Sequence, residues 1–172
     1  MLSNKAGIIW ITGIPASGKT TLARRIVRHY QKDNRAAEVL DGDDIRRVVS
    51  ASLGFSKEDR LENSRRISWI ARLLARNGII TVVATVSPYL EGRKAAREQA
   101  VSDGIAFVEI YTRCSQSVAL SRDTRGIYEL KNVTGLGAPY EAPTTAEIVI
   151  DTDRLDPDQA LDEVIKRLPL EP

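Results

Sequence analysis

Short apolar runs alternate with longer, helically patterned stretches from one end of the chain to the other. The runs at 7–12, 37–41, 79–86, 105–111 and 147–151 predict β-strands. The stretches at 20–32, 43–52, 57–77, 90–102, 115–121 and 157–168 predict helices. The run from Ile79 to Val86 is apolar on both faces, as a central parallel strand requires. Several boundaries are marked locally. Ser56 precedes Lys57-Glu58-Asp59 as an N-cap with acids in the first turn, and Asn77-Gly78 closes that helix with glycine in the left-handed cap position. Ser115 and Asp156-Pro157 are two further helix starts. Strand–helix alternation predicts an α/β fold, a parallel sheet flanked by helices on both faces, with ligands at the carboxyl ends of the strands. With no repeat, low-complexity tract or linker, residues 1–172 form one unit.

One segment breaks the alternation. From Arg122 to Pro143 the chain carries Gly126, Gly135, Gly137, Pro139 and Pro143 with little periodicity. So long a loop in a compact domain is functional or disordered. Because it carries Arg122, Arg125 and Lys131, we expect a lid that closes over a phosphorylated ligand and excludes water.

Composition narrows the classes of function. Hydrophobic residues make up 42% and charged residues 28%, ordinary for a globular chain. A net charge of +2, with bases interspersed among acids, argues against a nucleic-acid partner. The single cysteine, Cys114, excludes an internal disulfide, fits a reducing cytosol and is expected to pack at the end of a strand. The single histidine, His29, is expected at the surface. No signal peptide is visible and no apolar run reaches the roughly 18 residues of a membrane span, so the expectation is a cytoplasmic protein without a membrane partner.

The chemistry begins at Gly13-Ile14-Pro15-Ala16-Ser17-Gly18-Lys19-Thr20, placed between a predicted strand and a predicted helix. In this spacing the glycines turn backbone N–H groups toward phosphate oxygens, and the following helix presents its positive end. Lys19 reaches the β- and γ-phosphates, and the Thr20 hydroxyl binds Mg²⁺. The segment therefore predicts a bound nucleoside triphosphate. An Asn-Lys-x-Asp base-reading motif, expected of a GTPase, is absent, and the third strand ends Ala84-Thr85-Val86-Ser87 without the acid of a motor ATPase. After the second strand, Asp41-Gly42-Asp43 places two carboxylates around a glycine, and Arg46 shares a helical face with Asp43. A carboxylate there can take a proton from an attacking hydroxyl while the arginine holds an anionic acceptor.

These residues resemble the adenylylsulfate kinase (APS kinase) family. To the phosphate loop and Asp41-Gly42-Asp43-x-x-Arg46 the chain adds Leu53-Gly54-Phe55-Ser56, Asp59-Arg60-x-x-Asn63-x-x-Arg66 and Ser87-Pro88-Tyr89. It then continues with Arg122-Asp123-x-Arg125-Gly126-Ile127-Tyr128, Thr134-Gly135 and Pro139-Tyr140-Glu141-x-Pro143, in family order over almost the whole chain. The resemblance implies a P-loop NTPase fold of nucleotide-kinase type, its five-stranded parallel sheet in the order 2-3-1-4-5. It also implies transfer of the ATP γ-phosphate to the 3′-hydroxyl of adenylylsulfate, giving phosphoadenylylsulfate (PAPS) and ADP, with ATP and Mg²⁺ as cofactors.

Carried over residue by residue, Lys19, Asp43 and Ser87 are the catalytic set, with Asp43 as general base on the 3′-hydroxyl. The loop from Gly13 to Thr20, with Thr21 and Arg122, holds ATP, and Thr20 holds the metal. Arg46 and Arg60 hold the sulfate–phosphate end beside Asn63, Phe55 stacks on the acceptor's adenine, and Val86 and Ser87 line its site. Asp41, Asn132 and Val133 belong to the same acceptor side, and Arg125 stands where the family has a lysine. The family's serine at the Ser87 position is also described as a phosphoserine intermediate. Direct in-line transfer needs only positioning and charge stabilisation, and no base obviously serves Ser87. Family members are commonly dimers, and Trp69 with its apolar neighbours serves either an interface or the core.

The chain departs from the family pattern in its lid, which is several residues shorter and carries Val133 in place of the phenylalanine that completes the adenine sandwich. Leu90 replaces a common basic residue. Losing one face of a base–aromatic sandwich costs on the order of 1–3 kcal/mol, up to roughly a hundredfold in affinity. Two kinase readings follow: a true adenylylsulfate kinase with a trimmed lid, or a sister enzyme acting on another anionic nucleotide such as a cytidine diphosphate derivative. The first is favoured by Asp43, Arg46, Phe55, Arg60 and Asn63 together. A non-catalytic nucleotide switch is opposed by intact Lys19, Thr20 and Asp43.

Overall fold

Strand β1 (Gly7–Thr12) lies at the centre of the sheet because alternate residues feed two separate cores. The computed structural model describes residues 6–124, 126–129, 133–135 and 137–168. Among these, five parallel strands run in the order β2-β3-β1-β4-β5, as predicted, with β2 at Ala37–Asp41, β3 at Ile80–Ala84, β4 at Ala106–Arg113 and β5 at Ile148–Asp151. Helices α1 (Lys19–Lys32), α2 (Gly42–Val48), α3 (Lys57–Arg76), α4 (Leu90–Ser102), α5 (Gln116–Ser121) and α6 (Pro157–Ile165) complete the alternation.

Ile9 and Ile11 face one layer, where Leu22, Ile26 and Val27 of α1 pack with Val164 of α6. Ile8 and Trp10 face the other, against Ile67, Ala71 and Ala75 of α3 and Ala96 and Ala100 of α4. Each fully buried Ile or Val contributes about 1.5–3 kcal/mol, so the central strand is fixed from both sides.

The helix starts behave as their sequences require. Ser56 and Asp59 form a reciprocal capping box, and Asp156 does the same with Gln159 behind Pro157. Ser115 accepts from the Val118 amide, and Gly78 closes α3 at φ +82°. Three of the shifted ends have a visible cause. Strand β3 stops at Ala84, two residues early, because Ser87 turns into the left-handed region at φ +40°. Helix α2 stops at Val48 rather than residue 52, where the Ser50 amide turns back to the Ile45 carbonyl. Helix α6 ends at Ile165 rather than 168, its last turn tightened by the Arg167 and Leu168 amides on the Val164 carbonyl.

His29 is half-buried, edge-on to Tyr30 at 5.5 Å, rather than a free surface residue. Cys114 is half-buried just past β4, beside a small apolar cluster of Ala119, Tyr128 and Val133. Trp69 lies outside both cores, 52% exposed. Among the described residues no helix is long and apolar enough to cross a membrane.

The lid lies against the phosphate loop. A 3-10 turn at Ile127–Glu129 seats Tyr128, whose phenol donates to the Pro15 carbonyl at 2.8 Å. Ile14 and Ala16 pack on the Val133 cluster, and a Cβ on Gly135 would meet Ile14 Cγ2 at 3.1 Å. Arg125, Lys131 and Asn132, assigned to the lid and the site from the sequence, lie outside the described residues.

Candidate active site

At the carboxyl ends of β1, β2 and β3 a cavity of about 650 Å³ opens between the phosphate loop, α2, α3 and the lid. Its donor side is built by backbone. A Cβ on Gly13 would collide with Ser17 Oγ at 2.6 Å and the Thr112 carbonyl at 2.7 Å, so only glycine lets the loop turn this close to β4. Ser17 Oγ pairs with Thr112 Oγ1 at 2.8 Å beneath the loop. Lys19 is buried, and its ammonium donates to the Gly13 and Ile14 carbonyls at 3.0 and 2.7 Å, which holds a cation at the mouth of the cradle. Gly18 opens α1 in the left-handed region, and Arg122 donates to the Thr152 carbonyl at 2.7 Å on the same side.

The acceptor side is carried by α2 and α3. A Cβ on Gly42 would meet Thr85 Oγ1 at 2.8 Å, so this glycine lets α2 start directly against β3. Asp41 caps that helix, Oδ1 accepting from the Asp43 amide at 2.9 Å, while its Oδ2 accepts from Thr20 Oγ1 at 2.8 Å. One carboxylate thereby joins the two halves of the cavity. Asp43 lies exposed on its rim.

Across the cavity the Phe55 ring, 67% exposed, carries the Arg46 guanidinium at 4.3 Å and the Arg60 guanidinium at 5.5 Å. Arg60 also reaches Thr134 of the lid, Nη1 to Oγ1, at 2.8 Å. Burial and the neighbouring Arg60 charge hold Arg46 below its ordinary value, and burial lowers Arg60 as well. Two partly desolvated cations so close together favour an anion between them.

Every described residue given a site role from the sequence lines this cavity except Gly13, Ile14 and Ser17 of the phosphate loop. Asn63 Oδ1 and Ser87 Oγ are buried and lack a hydrogen-bond partner among the described residues. The left-handed backbone of Ser87 is a strained conformation for a residue with a side chain, costing about 1–3 kcal/mol. No general base contacts its hydroxyl among the described residues. Val133 reaches the cavity wall but is 8% exposed, its side chain packed with Ala119 and Tyr128.

A buried polar layer beneath the site was not foreseen from the sequence. Arg93 of α4, 1% exposed, donates Nε to Glu109 Oε1, Nη1 to the Ser87 carbonyl and Nη2 to the Glu141 carbonyl, each at 2.7 Å. Thr12 Oγ1 donates to the Val86 carbonyl at 2.6 Å and contacts Tyr140 Oη at 3.1 Å. Burial pushes the Tyr140 phenol well above its usual range, so it stays a neutral partner. The available signal was Glu109, an acid in the middle of an otherwise apolar strand, which calls for a buried cation.

A phosphate loop at the end of a central parallel strand, facing a cationic acceptor pocket under a lid, defines a P-loop phosphotransferase. The family model for adenylylsulphate kinase matches residues 5–151. A probable adenylyl-sulfate kinase of Aeropyrum pernix is 45% identical over 155 residues, 87% of this chain and 85% of its own length. The adenylyl-sulfate kinase of Staphylococcus epidermidis is 38% identical over 171 residues, covering 96% and 85%. Among solved structures, the APS kinase of Mycobacterium tuberculosis in complex with AMPPNP and APS superposes with a TM-score of 0.90 at 35% identity, covering 94% of this chain and 96% of that one. The chain belongs to the adenylylsulphate kinase family and is an ATP-dependent kinase.

Proposed function

We propose that the protein transfers the γ-phosphoryl group of ATP to the 3′-hydroxyl of adenylylsulfate, giving PAPS and ADP. The observation that carries this reading is that Asp43, Arg46, Phe55, Arg60 and Asn63 line the same cavity as Lys19 and Thr20. Donor and acceptor therefore meet at one place, and most of the rate enhancement comes from positioning and charge stabilisation.

In this mechanism Lys19 releases the loop carbonyls and follows the negative charge that develops on the transferring group. Asp43 accepts the proton of the 3′-hydroxyl as its oxygen attacks the γ-phosphorus in line and the bridging oxygen leaves with ADP. Arg46 and Arg60 fix the sulfate–phosphate tail, Asn63 donates its amide beside them, and the adenine replaces a guanidinium on the Phe55 face. Arg122 covers the ATP. Ser87, whose hydroxyl has no neighbouring base among the described residues, orients the acceptor, and transfer is direct. The Thr20 hydroxyl and Asp41 carboxylate are hard oxygen donors that would hold Mg²⁺, which would supply charge neutralisation for the transferring phosphate.

A Mg·ATP transfer assay, comparing adenylylsulfate with cytidine diphosphate derivatives and identifying products by mass, tests the reading. Turnover of adenylylsulfate at micromolar concentration supports it; turnover of a cytidine diphosphate derivative alone overturns it. The single cysteine and the ATP donor support a cytosolic setting. We further propose a homodimer through the exposed Trp69 and Leu73 on α3, to be tested by light scattering of a Trp69→Glu variant, which should be monomeric.

A further inference from the structure

Three consecutive carbonyls behind the acceptor pocket are each held by a different element. Thr12 of β1 takes the Val86 carbonyl, Arg93 of α4 takes that of Ser87, and the Glu141 amide, past the lid, takes that of Pro88 at 2.8 Å. Glu141 also receives the Leu90 amide on its carboxylate at 2.7 Å, so the segment is pinned from both directions. Arg93 grips the backbone of both sides at once, the Ser87 carbonyl with one arm and the Glu141 carbonyl with the other. Its third donor is locked on Glu109, which is itself buried on β4 and flanked by Arg97 at 3.6 Å.

We infer that Arg93 is a positioning residue for phosphoryl transfer: it holds Ser87 in its left-handed conformation and couples the acceptor wall to the exit of the lid. The inference rests on the kinase reading above. Its physical basis is the planar guanidinium. A fork with fixed angles sets the distance between two backbone segments, whereas an ammonium on a flexible stem does not. Without the fork, the Ser87 peptide relaxes toward ordinary backbone and the wall of the acceptor pocket shifts, while the phosphate loop, built on β1 and α1, stays as it is.

The expected result for Arg93→Lys is therefore a split. Affinity for a non-hydrolysable ATP analogue stays within about twofold of wild type, and kcat/KM for the acceptor falls on the order of a hundredfold. A double variant, Arg93→Met with Glu109→Met, removes the buried pair together and keeps the chain folded, because an apolar pair of similar volume replaces two buried charges. If it regains thermal stability but not acceptor kcat/KM, positioning is supported. Recovery of both together, or a parallel fall in ATP affinity in Arg93→Lys, overturns the inference.

The split is read with whichever acceptor the wild-type protein turns over, so failure of adenylylsulfate as substrate counts against the proposed function alone. Hydrogen exchange gives a second readout independent of turnover. In Arg93→Lys the Leu90 and Glu141 amides should exchange faster while those of α1 do not change, and unaltered exchange at both overturns the coupling.

Discussion

Thr20 Oγ1 donates to Asp41 Oδ2 at 2.8 Å, so the last residue of the phosphate-loop motif is held by the last residue of β2. On the proposed reading Asp41 serves the metal side as much as the acceptor side. Asp41→Asn keeps an acceptor for the Thr20 hydroxyl and a cap for α2 but removes the charge. The expected outcome is a lower kcat and a higher Mg²⁺ concentration for half-maximal rate, with thermal stability close to wild type. A magnesium titration of initial rates checks this. Asp41→Ala should also lose about 1 kcal/mol of stability with the cap.

Asp43 stands on the rim, on the first turn of α2, where its carboxylate faces the cavity without being part of the fold's interior. Asp43→Asn should reduce kcat by about 10²–10⁴-fold. Binding of an ATP analogue, measured by calorimetry, should not change, because the donor cradle is built by other elements.

Val133 invites a restoration experiment, and packing decides its outcome. A phenylalanine there would gain at most about 1–3 kcal/mol from stacking on the acceptor's base. The valine, however, is enclosed by Ala119 and Tyr128, and overfilling such a site costs about 1–3 kcal/mol. Only 8% of the valine is exposed at the cavity wall, so the cost is felt more than the stacking. Val133→Phe should lower Tm by several degrees and leave the acceptor KM unchanged; a tenfold fall in KM would count against this account.

Acid stability should depend on Glu147. Burial alone would raise its carboxyl, but the Arg97 guanidinium, at 2.7 Å, and the Glu109 amide outweigh burial and hold it below the ordinary 4.5. A depressed folded value means that ionised Glu147 stabilises the fold above the unfolded value, and that the contribution is lost as pH falls through the folded one. Glu147→Gln should therefore flatten the decline in Tm below pH 4.5 relative to wild type and lower Tm at neutral pH.

The sequence made legible whatever is local. Residues 7–20 encode strand, turn and helix start within one short segment, and every strand lies within two residues of its predicted ends. The acceptor residues Arg46, Phe55, Arg60 and Asn63 were legible through the family resemblance; spacing alone gave only the shared face of Asp43 with Arg46 and of Arg60 with Asn63. What escaped prediction is non-local. Arg93 has no meaning on α4 until β4 places Glu109 beneath it, sixteen residues on. The burial of Val133 follows from the path of the lid, and no periodic pattern records that path. Even so, an acid inside an apolar strand is a readable signal, since a buried charge demands a partner somewhere.

The phosphate-loop pattern fixes its glycines, lysine and threonine and leaves four open positions, of which Ile14, Pro15 and Ala16 face the lid. Here those positions form the floor on which the lid rests, through the Tyr128 hydrogen bond, Gly135 and the Val133 cluster. They consequently pack as one unit with the lid. A longer lid transplanted from a relative would need its own residues at 14–16 to seat, and chains that diverge in lid length should change these three positions in step.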